Sequence, residues 1–177
     1  ISNALAQGRK LSEVVAEAKA MGYSEPDPRI DLSGVDVARK ILILAREAGF
    51  GLEMADIDRT PFVPQEYLDT PDVETFMNKL AALDDEYANV SKELAAKGLI
   101  RRYVATFEAG KIKVGFKDVA EKDPLYFLDD TNNIVLINSD NYKEHPLEIK
   151  GYGAGADVTA AGVFADIIRV ANPQPWP

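Results

Sequence analysis

The sequence has no cysteine, and His145 is its single histidine. Without thiols there is no disulfide framework, no thiolate nucleophile and no cysteine-based zinc site, and one histidine excludes metal sites that need two. No run of about 18 apolar residues occurs, which excludes a transmembrane helix. The formal net charge of −9 argues against nucleic acid or an anionic membrane as the main partner. With 46% hydrophobic and 28% charged residues, the composition is that of an ordinary soluble globular protein.

One stretch, residues 22–40, combines several acids with a few cations and ends in Lys40. Ser33 is predicted to cap the helix that follows, with Asp36 in its first turn. That helix places Asp36 and Lys40, four residues apart, as neighbours on one face. Two interpretations stay open: a capping box with a surface ion pair, or a functional cluster of four acids against one lysine. The four acids are Glu25, Asp27, Asp31 and Asp36.

The order of periodic segments predicts an α+β fold, with helices packed on a mostly antiparallel, mixed sheet. The chain of 177 residues is long enough for one domain with a substantial core. A helix over residues 70–97 fits either as one piece or as two with a bend near Leu83. Helices are predicted at residues 11–21, 33–48 and 70–97, a short extended segment at 52–64, strands at 101–107, 111–117, 134–137 and 147–150, and a last helix up to about Val170.

The glycine-rich segment GYGAGADVT follows a predicted strand and opens the last helix. Gly151, Gly153 and Ala156 satisfy the loose dinucleotide-binding fingerprint, but no second strand with a ribose-binding acid follows. Asp157 would also place a negative charge where a pyrophosphate should lie. Two interpretations remain: a tight strand-to-helix turn capped by Asp157 or Thr159, or a glycine turn whose backbone lies flat against a planar ligand near the acidic stretch.

Two further groups of acids, Asp84-Asp85-Glu86 and Asp129-Asp130, raise the question of a divalent cation. Neither has the alternating spacing and the glycine of a calcium-binding loop. We interpret each as a solvated face or a turn. The sequence therefore predicts no metal site.

The two unusual stretches resemble motifs of one known family. Residues 22–40, GYSEPDPRIDLSGVDVARK, closely resemble the signature of homoserine dehydrogenases, and residues 151–166, GYGAGADVTAAGVFAD, resemble the closing glycine motif of that family. Residues 53–58, EMADID, and the segment Arg102-Tyr103-Val104 are most similar to bifunctional chains that join aspartate kinase to homoserine dehydrogenase. The resemblance covers essentially all 177 residues, with two long motifs in the family's order.

The resemblance implies an oxidoreductase. The family reduces L-aspartate 4-semialdehyde to L-homoserine with NADH or NADPH, on the route to threonine and methionine. For this chain it implies that residues 1–177 are the family's catalytic, substrate-binding domain, of the α+β class, in a cytoplasmic enzyme that is a homo-oligomer at full length.

The resemblance also implies roles for individual residues. Lys40 would donate a proton to the aldehyde oxygen as the hydride arrives, and Asp36 would hold the substrate and orient the lysine. Glu25 would bind the ammonium group of the substrate, with Asp31 and the Tyr23 backbone nearby. The resemblance accounts for both kinds of charged group. The acids would face the amino group of the substrate, and the lysine would face the alkoxide that develops on its oxygen.

By the same resemblance, Gly22 and Gly155 would lie against the nicotinamide end of NADP or NAD. Most cofactor contacts are expected in an amino-terminal dinucleotide-binding domain that this sequence lacks, and the helix at residues 155–171 would pack on it. Ile1 is interpreted as an entry into the middle of a longer chain. We therefore expect the isolated 177 residues to show little or no turnover. Ile30 departs from the family, which usually has a second aspartate at that position.

Two other classes of function remain as alternatives. A ligand-sensing or assembly module would keep this fold without catalysis, and Ile30 is its only support in the sequence. A purely structural dimerisation domain is a third interpretation, and it leaves the acidic stretch and Lys40 unexplained. The residues present do not distinguish NAD from NADP.

Overall fold

The computed structural model describes residues 1–129, 132–153 and 155–172. The chain divides into two compact units, Ile1–Tyr126 and Phe127–Pro177. Helices come first along the chain, paired strands follow, and a helix comes last. This order and the mixed pairing of the strands confirm the predicted α+β class.

The first unit is built from helices around a small sheet. Strand β3 lies in the middle of that sheet, antiparallel to β2 and parallel to β1, in the order β1-β3-β2. The elements are α1 (Ser2–Ala6), α2 (Leu11–Ala20), α3 (Pro28–Leu32), α4 (Val35–Glu47), β1 (Ile57–Arg59), α5 (Gln65–Leu68), α6 (Val73–Leu80), α7 (Asp84–Ala95), β2 (Leu99–Glu108) and β3 (Lys111–Ala120). A short 3-10 turn, Ala81–Leu83, separates α6 from α7. Of the two arrangements left open for residues 70–97, the bent one is correct.

Helix α4 packs on the sheet through its small residues. Ala38 and Ala45 are fully buried, and with Leu42 they contact Ile112 and Val114 of β3. The two strand residues are the apolar members of the alternating segment at residues 111–117, so that alternation predicted the buried face correctly. Alanine lets the helix backbone lie close to the strands, which fixes the distance between α4 and the sheet.

The opposite face of α4 is exposed to solvent. Asp36, Lys40, Ile43 and Glu47 share this face, as the 100° helical spacing predicts. Although the helix is rich in apolar residues, Ile43 and Leu44 are also exposed. The helix is amphipathic, with only its alanine and leucine stripe in the core.

A second part of the core joins α2 to α6. Leu11, Val15, Phe76 and Leu80 are fully buried there, together with Val63 from the segment before α5. The periodic apolar positions at residues 11–21 and 73–83 predicted both helices. This cluster supports the stretch that links α2 to α4.

The second unit contains a hairpin and one helix. Strands β4 (Asn132–Ser139) and β5 (Tyr142–Tyr152) are antiparallel, and α8 (Ala156–Ala171) follows them. Asn132 and Asn133, which precede the strand predicted at residues 134–137, pair with Tyr152 and Gly151 in the hairpin. Among the described strands, β4 and β5 form a two-stranded sheet, and β1–β3 form a three-stranded one. No helix in the described ranges is both long and apolar enough to cross a membrane.

Asp84 has a structural role, although it lies in a run of three acidic residues. It is 8% exposed, and its carboxylate accepts hydrogen bonds from the Ser12 backbone N–H at 2.8 Å and from the Ser12 hydroxyl at 2.7 Å. Ser12 lies in the first turn of α2, whose own N-cap residue, Lys10, makes no side-chain capping bond. Asp84 therefore caps α2 from α7, and its assignment to a solvated face is wrong.

We predict that Asp84→Ala lowers the free energy of unfolding by about 1–2 kcal/mol, because the substitution leaves the half-buried Ser12 N–H and hydroxyl without their acceptor. Urea unfolding measures the change. Asp85→Ala, at the exposed neighbouring position, is the matched control and should change stability by less than about 0.5 kcal/mol. Equal effects of the two substitutions would contradict the capping role.

Candidate functional site

The acidic stretch begins where α2 ends. Gly22 has φ +71°, a left-handed conformation that suits glycine. Its N–H donates to the Lys19 carbonyl at 3.1 Å, and the Tyr23 N–H donates to the Ala18 carbonyl at 2.9 Å. These two bonds close the helix as a Schellman motif, which confirms Gly22 as the predicted helix stop. The Tyr23 backbone N–H is consequently engaged in this cap.

Asp31 organises the loop that carries Glu25. Its Oδ2 atom accepts a hydrogen bond from the Glu25 backbone N–H at 2.9 Å. Both residues are exposed, and within the described chain neither carboxylate forms an ion pair with a lysine or arginine. The Tyr23 and Ile30 side chains nearby in the sequence are also exposed. Two acids held close together without a cation partner form a surface suited to a positively charged group.

Asp27 and Arg29 support this loop, a role that their position in the sequence does not reveal. The Asp27 side chain caps the short helix α3, accepting from the Arg29 N–H at 3.0 Å, and it also pairs with the Arg29 guanidinium at 2.6 Å. The Arg29 guanidinium reaches on to the Thr70 carbonyl. The hydrogen bond from the Arg29 side chain holds the pKa of Asp27 below its ordinary value. Asp27 followed by Pro28 is a usual N-cap pattern, so α3 could have been predicted.

The turn between α3 and α4 differs from the predicted cap. Ser33 ends α3 and donates its hydroxyl to the Ile30 carbonyl at 2.6 Å, and the same hydroxyl accepts from the Val35 N–H at 3.2 Å. Gly34, with φ +75°, is the residue that precedes α4. The predicted capping box of Ser33 with Asp36 is therefore wrong, and the Asp36 carboxylate is not used as a cap.

Asp36 and Lys40 form the predicted pair on the exposed face of α4. The Lys40 Nζ lies 2.8 Å from Asp36 Oδ2, and both side chains are more than half exposed. An exposed ion pair of this kind contributes about 0–1 kcal/mol to stability. The pair therefore leaves the ammonium accessible to a ligand while fixing its position within one turn of helix.

The glycine segment lies in the second unit. A Cβ atom added at Gly153 would lie 1.5 Å from the Asn133 side-chain amide, so that exposed side chain would have to move to admit any other residue. Gly155, with φ +133°, precedes α8, and no side chain caps this helix. The caps predicted for Asp157 and Thr159 are therefore wrong; Asp157 lies in the exposed first turn. Ala154 lies outside the described residues.

Gly22 and Gly155 share the property that a nicotinamide ring requires. A Cβ atom built on either glycine would meet no heavy atom within 4 Å. Each backbone is therefore open on that side, and the contact of either glycine with a cofactor stays a prediction. Gly22 belongs to the first unit and Gly155 to the second.

In residues 1–129, 132–153 and 155–172, no group of three or more histidine, aspartate and glutamate side chains lies close enough together to hold a metal ion. Asp129 instead pairs with Lys150 at 2.6 Å, and this contact lowers the pKa of Asp129. Asp130 lies outside the described residues.

Comparison with known proteins gives a consistent picture. A family model described as homoserine dehydrogenase matches residues 1–168. The chain is 46% identical over 165 residues to a bifunctional aspartokinase/homoserine dehydrogenase of Haemophilus influenzae, which covers 93% of this chain and 20% of that protein. It is 41% identical over 167 residues to a homoserine dehydrogenase of Paracoccidioides brasiliensis, which covers 92% of this chain and 44% of that protein.

The solved structures agree in fold. A homoserine dehydrogenase of Staphylococcus aureus superposes with a TM-score of 0.71 at 23% identity, over 99% of this chain and 40% of that chain. At this identity the likeness concerns the fold alone. The chain spans about a fifth of the bifunctional relative and less than half of the shorter one.

We predict that Asp27→Asn destabilises the protein at pH 7 by about 0.5–1 kcal/mol, since asparagine keeps the cap but loses the charge that pairs with Arg29. The pKa of Asp27 is lowered in the folded protein, so its contribution is present above the unfolded pKa of about 3.9 and disappears as the pH falls through the folded value. Urea unfolding from pH 7 to pH 3 tests this.

In that experiment, the gap between Asp27→Asn and the unmodified protein should shrink below about pH 4. Asp85→Asn, at an exposed position, serves as the control and should show little difference at neutral pH. A gap that stays constant over the whole range would contradict the ion-pair assignment.

Proposed function

The chain belongs to the homoserine dehydrogenase family, and from that premise we propose that it is the catalytic, substrate-binding part of an enzyme that reduces L-aspartate 4-semialdehyde to L-homoserine with NADPH or NADH. The observation that carries the proposal is the accessible Lys40–Asp36 pair in the same unit as the unpaired acids Glu25 and Asp31. We place the reaction in threonine and methionine biosynthesis and in the cytoplasm.

Lys40 is the proton donor in this proposal. Addition of a hydride to an aldehyde carbon leaves negative charge on the oxygen, and an ammonium group within hydrogen-bond reach stabilises and then protonates that oxygen. Asp36, 2.8 Å from the Lys40 Nζ, directs the ammonium group along the exposed face of α4. Asp36 also accepts a hydrogen bond from the bound substrate.

Glu25, Asp31 and Tyr23 bind the other end of the substrate. The Glu25 carboxylate accepts a charge-assisted hydrogen bond from the ammonium group of the substrate. Asp31 holds the Glu25 backbone N–H and adds negative charge to the same surface. Because the Tyr23 N–H is used by the Schellman motif, the carbonyl of Tyr23 is the backbone group that can accept from an ammonium.

The cofactor supplies the hydride. Gly22 and Gly155 hold its nicotinamide end, because backbone without a Cβ lets a planar ring approach. The residues of this chain do not distinguish NADP from NAD. The identity to the bifunctional relative, 46% against 41% for the shorter one, supports an attached aspartate kinase as part of this proposal.

We predict that Lys40→Ala in the intact enzyme lowers kcat for aspartate semialdehyde reduction about 100-fold or more, because the alkoxide loses its proton donor. Steady-state kinetics monitor the oxidation of NADPH. Lys10→Ala is a matched control, since Lys10 is also an exposed lysine paired with a nearby acid, Glu13 of α2. Near-normal turnover of Lys40→Ala would remove Lys40 from this role and with it the proposed mechanism.

We also predict that Glu25→Gln raises KM for the amino-acid substrate about 10- to 100-fold, with a smaller effect on kcat, because the ammonium group loses its charged acceptor. The control is Glu13→Gln, which removes an exposed carboxylate from α2. An unchanged KM for homoserine and aspartate semialdehyde would assign the ammonium group to a different residue.

A further inference from the structure

Gly34 determines where the catalytic helix begins. It is buried, has φ +75° and lies between α3 and α4. Its carbonyl accepts the first hydrogen bond of α4, from the Ala38 N–H at 3.0 Å. Asp36 and Lys40 follow within the first two turns. Any displacement of Gly34 therefore displaces both groups of the proposed catalytic pair.

Tyr103 of β2 packs directly on Gly34. A Cβ atom added at Gly34 would lie 2.0 Å from the Tyr103 hydroxyl oxygen and 2.9 Å from Cζ. The ring of Tyr103 contacts Phe62 and Phe116, with centroids 5.5 Å and 5.4 Å away, and these two rings also contact each other. Its hydroxyl donates to the Thr60 carbonyl at 2.7 Å. The phenol therefore occupies a fixed position in the space that a side chain at Gly34 would need.

The same hydroxyl belongs to a larger set of contacts that holds this turn. The Arg59 guanidinium donates to the Ser33 carbonyl, and the Phe62 N–H donates to the Leu32 carbonyl at 2.8 Å. Tyr103 is bonded to Thr60, which lies between these two donors in the sequence. Burial raises the pKa of Tyr103, so the hydroxyl stays a hydrogen-bond donor at neutral pH. The turn is thus held from the sheet side through backbone carbonyls.

We infer that Tyr103 is a positioning residue for the proposed reaction: by packing its hydroxyl group on Gly34, it sets the place at which α4 presents Asp36 and Lys40. The inference rests on the proposed function. A methyl group at Gly34 requires the helix start or the phenol to move by about 1 Å or more, and a misplacement of about 1 Å is enough to lower a rate by two orders of magnitude.

The experiment measures kcat, KM and urea midpoints for Gly34→Ala in the intact enzyme. Gly98→Ala is the matched control: Gly98 has a similar φ of +68°, but a Cβ there meets no heavy atom within 4 Å. Both substitutions introduce left-handed strain, and only Gly34→Ala collides with Tyr103. We expect a fall in kcat of about 10- to 100-fold with KM within about threefold for Gly34→Ala, and nearly unchanged kinetics for Gly98→Ala.

A double variant tests the contact itself. In Gly34→Ala/Tyr103→Phe the closest atom, the hydroxyl oxygen, is gone, so kcat should recover about three- to tenfold relative to Gly34→Ala. Losses that multiply in the double variant, or a kcat for Gly34→Ala that equals that of Gly98→Ala, would overturn the inference. A kinetic loss in Gly34→Ala that appears in KM instead of kcat would do the same.

If Gly34→Ala does not fold, the kinetics of Tyr103→Phe test the inference without it. We expect its kcat to fall severalfold at constant KM, because the ring loses its hydrogen bond to the Thr60 carbonyl and Gly34 loses its contact with the hydroxyl group. Tyr87→Phe is the control, since the Tyr87 hydroxyl donates to the Phe62 carbonyl in the same aromatic cluster. Equal kinetics for the two phenylalanine variants would overturn the inference. Absence of aspartate semialdehyde reduction by the unmodified intact enzyme would instead refute the proposed function, which keeps the two failures distinct.

Discussion

The close packing of α4 on the sheet is the constraint on which the first unit depends. Ala38 and Ala45 bring the helix backbone near β3, and Leu42 fills the space between them. Because a helix has two opposite faces, this buried stripe forces Asp36 and Lys40 outward. A larger side chain in place of either alanine would push the helix off the strands, since interiors are packed to crystal density. The proposed chemistry thus depends on residues that contact no ligand.

The charged groups of the proposed site contribute little to the stability of the fold. The pair of Asp36 with Lys40 is exposed and contributes about 0–1 kcal/mol, and within the described chain Glu25 and Asp31 pair with no cation. Hydrogen bonds of the backbone hold these groups instead, including those that end α2 at Gly22 and the one that the Glu25 N–H donates to the Asp31 carboxylate. A rigid loop that displays unpaired charge suits a ligand that brings the opposite charge.

The helix of the second unit exposes a large apolar surface to solvent. Every residue of α8 is exposed, including Val163, Phe164 and Ile167. A hairpin of two strands is marginally stable alone, and a large exposed apolar patch marks a surface that packs on something else. The packing of this helix on a dinucleotide-binding domain, expected from the family resemblance, stays a prediction. The chain spans only part of its relatives, which agrees with such a surface.

The sequence by itself determined the features that depend on near neighbours: the α+β order, the alternating β3, the helix stop at Gly22 and the pairing of Asp36 with Lys40. Their periods and spacings are set within one or two turns of chain. Resemblance added roles that no spacing gives. The tertiary structure alone decided which residue caps α2 and what holds the start of α4. Asp84 and Tyr103 make these contacts with residues far away in the chain, and no local pattern encodes a partner brought near only by folding.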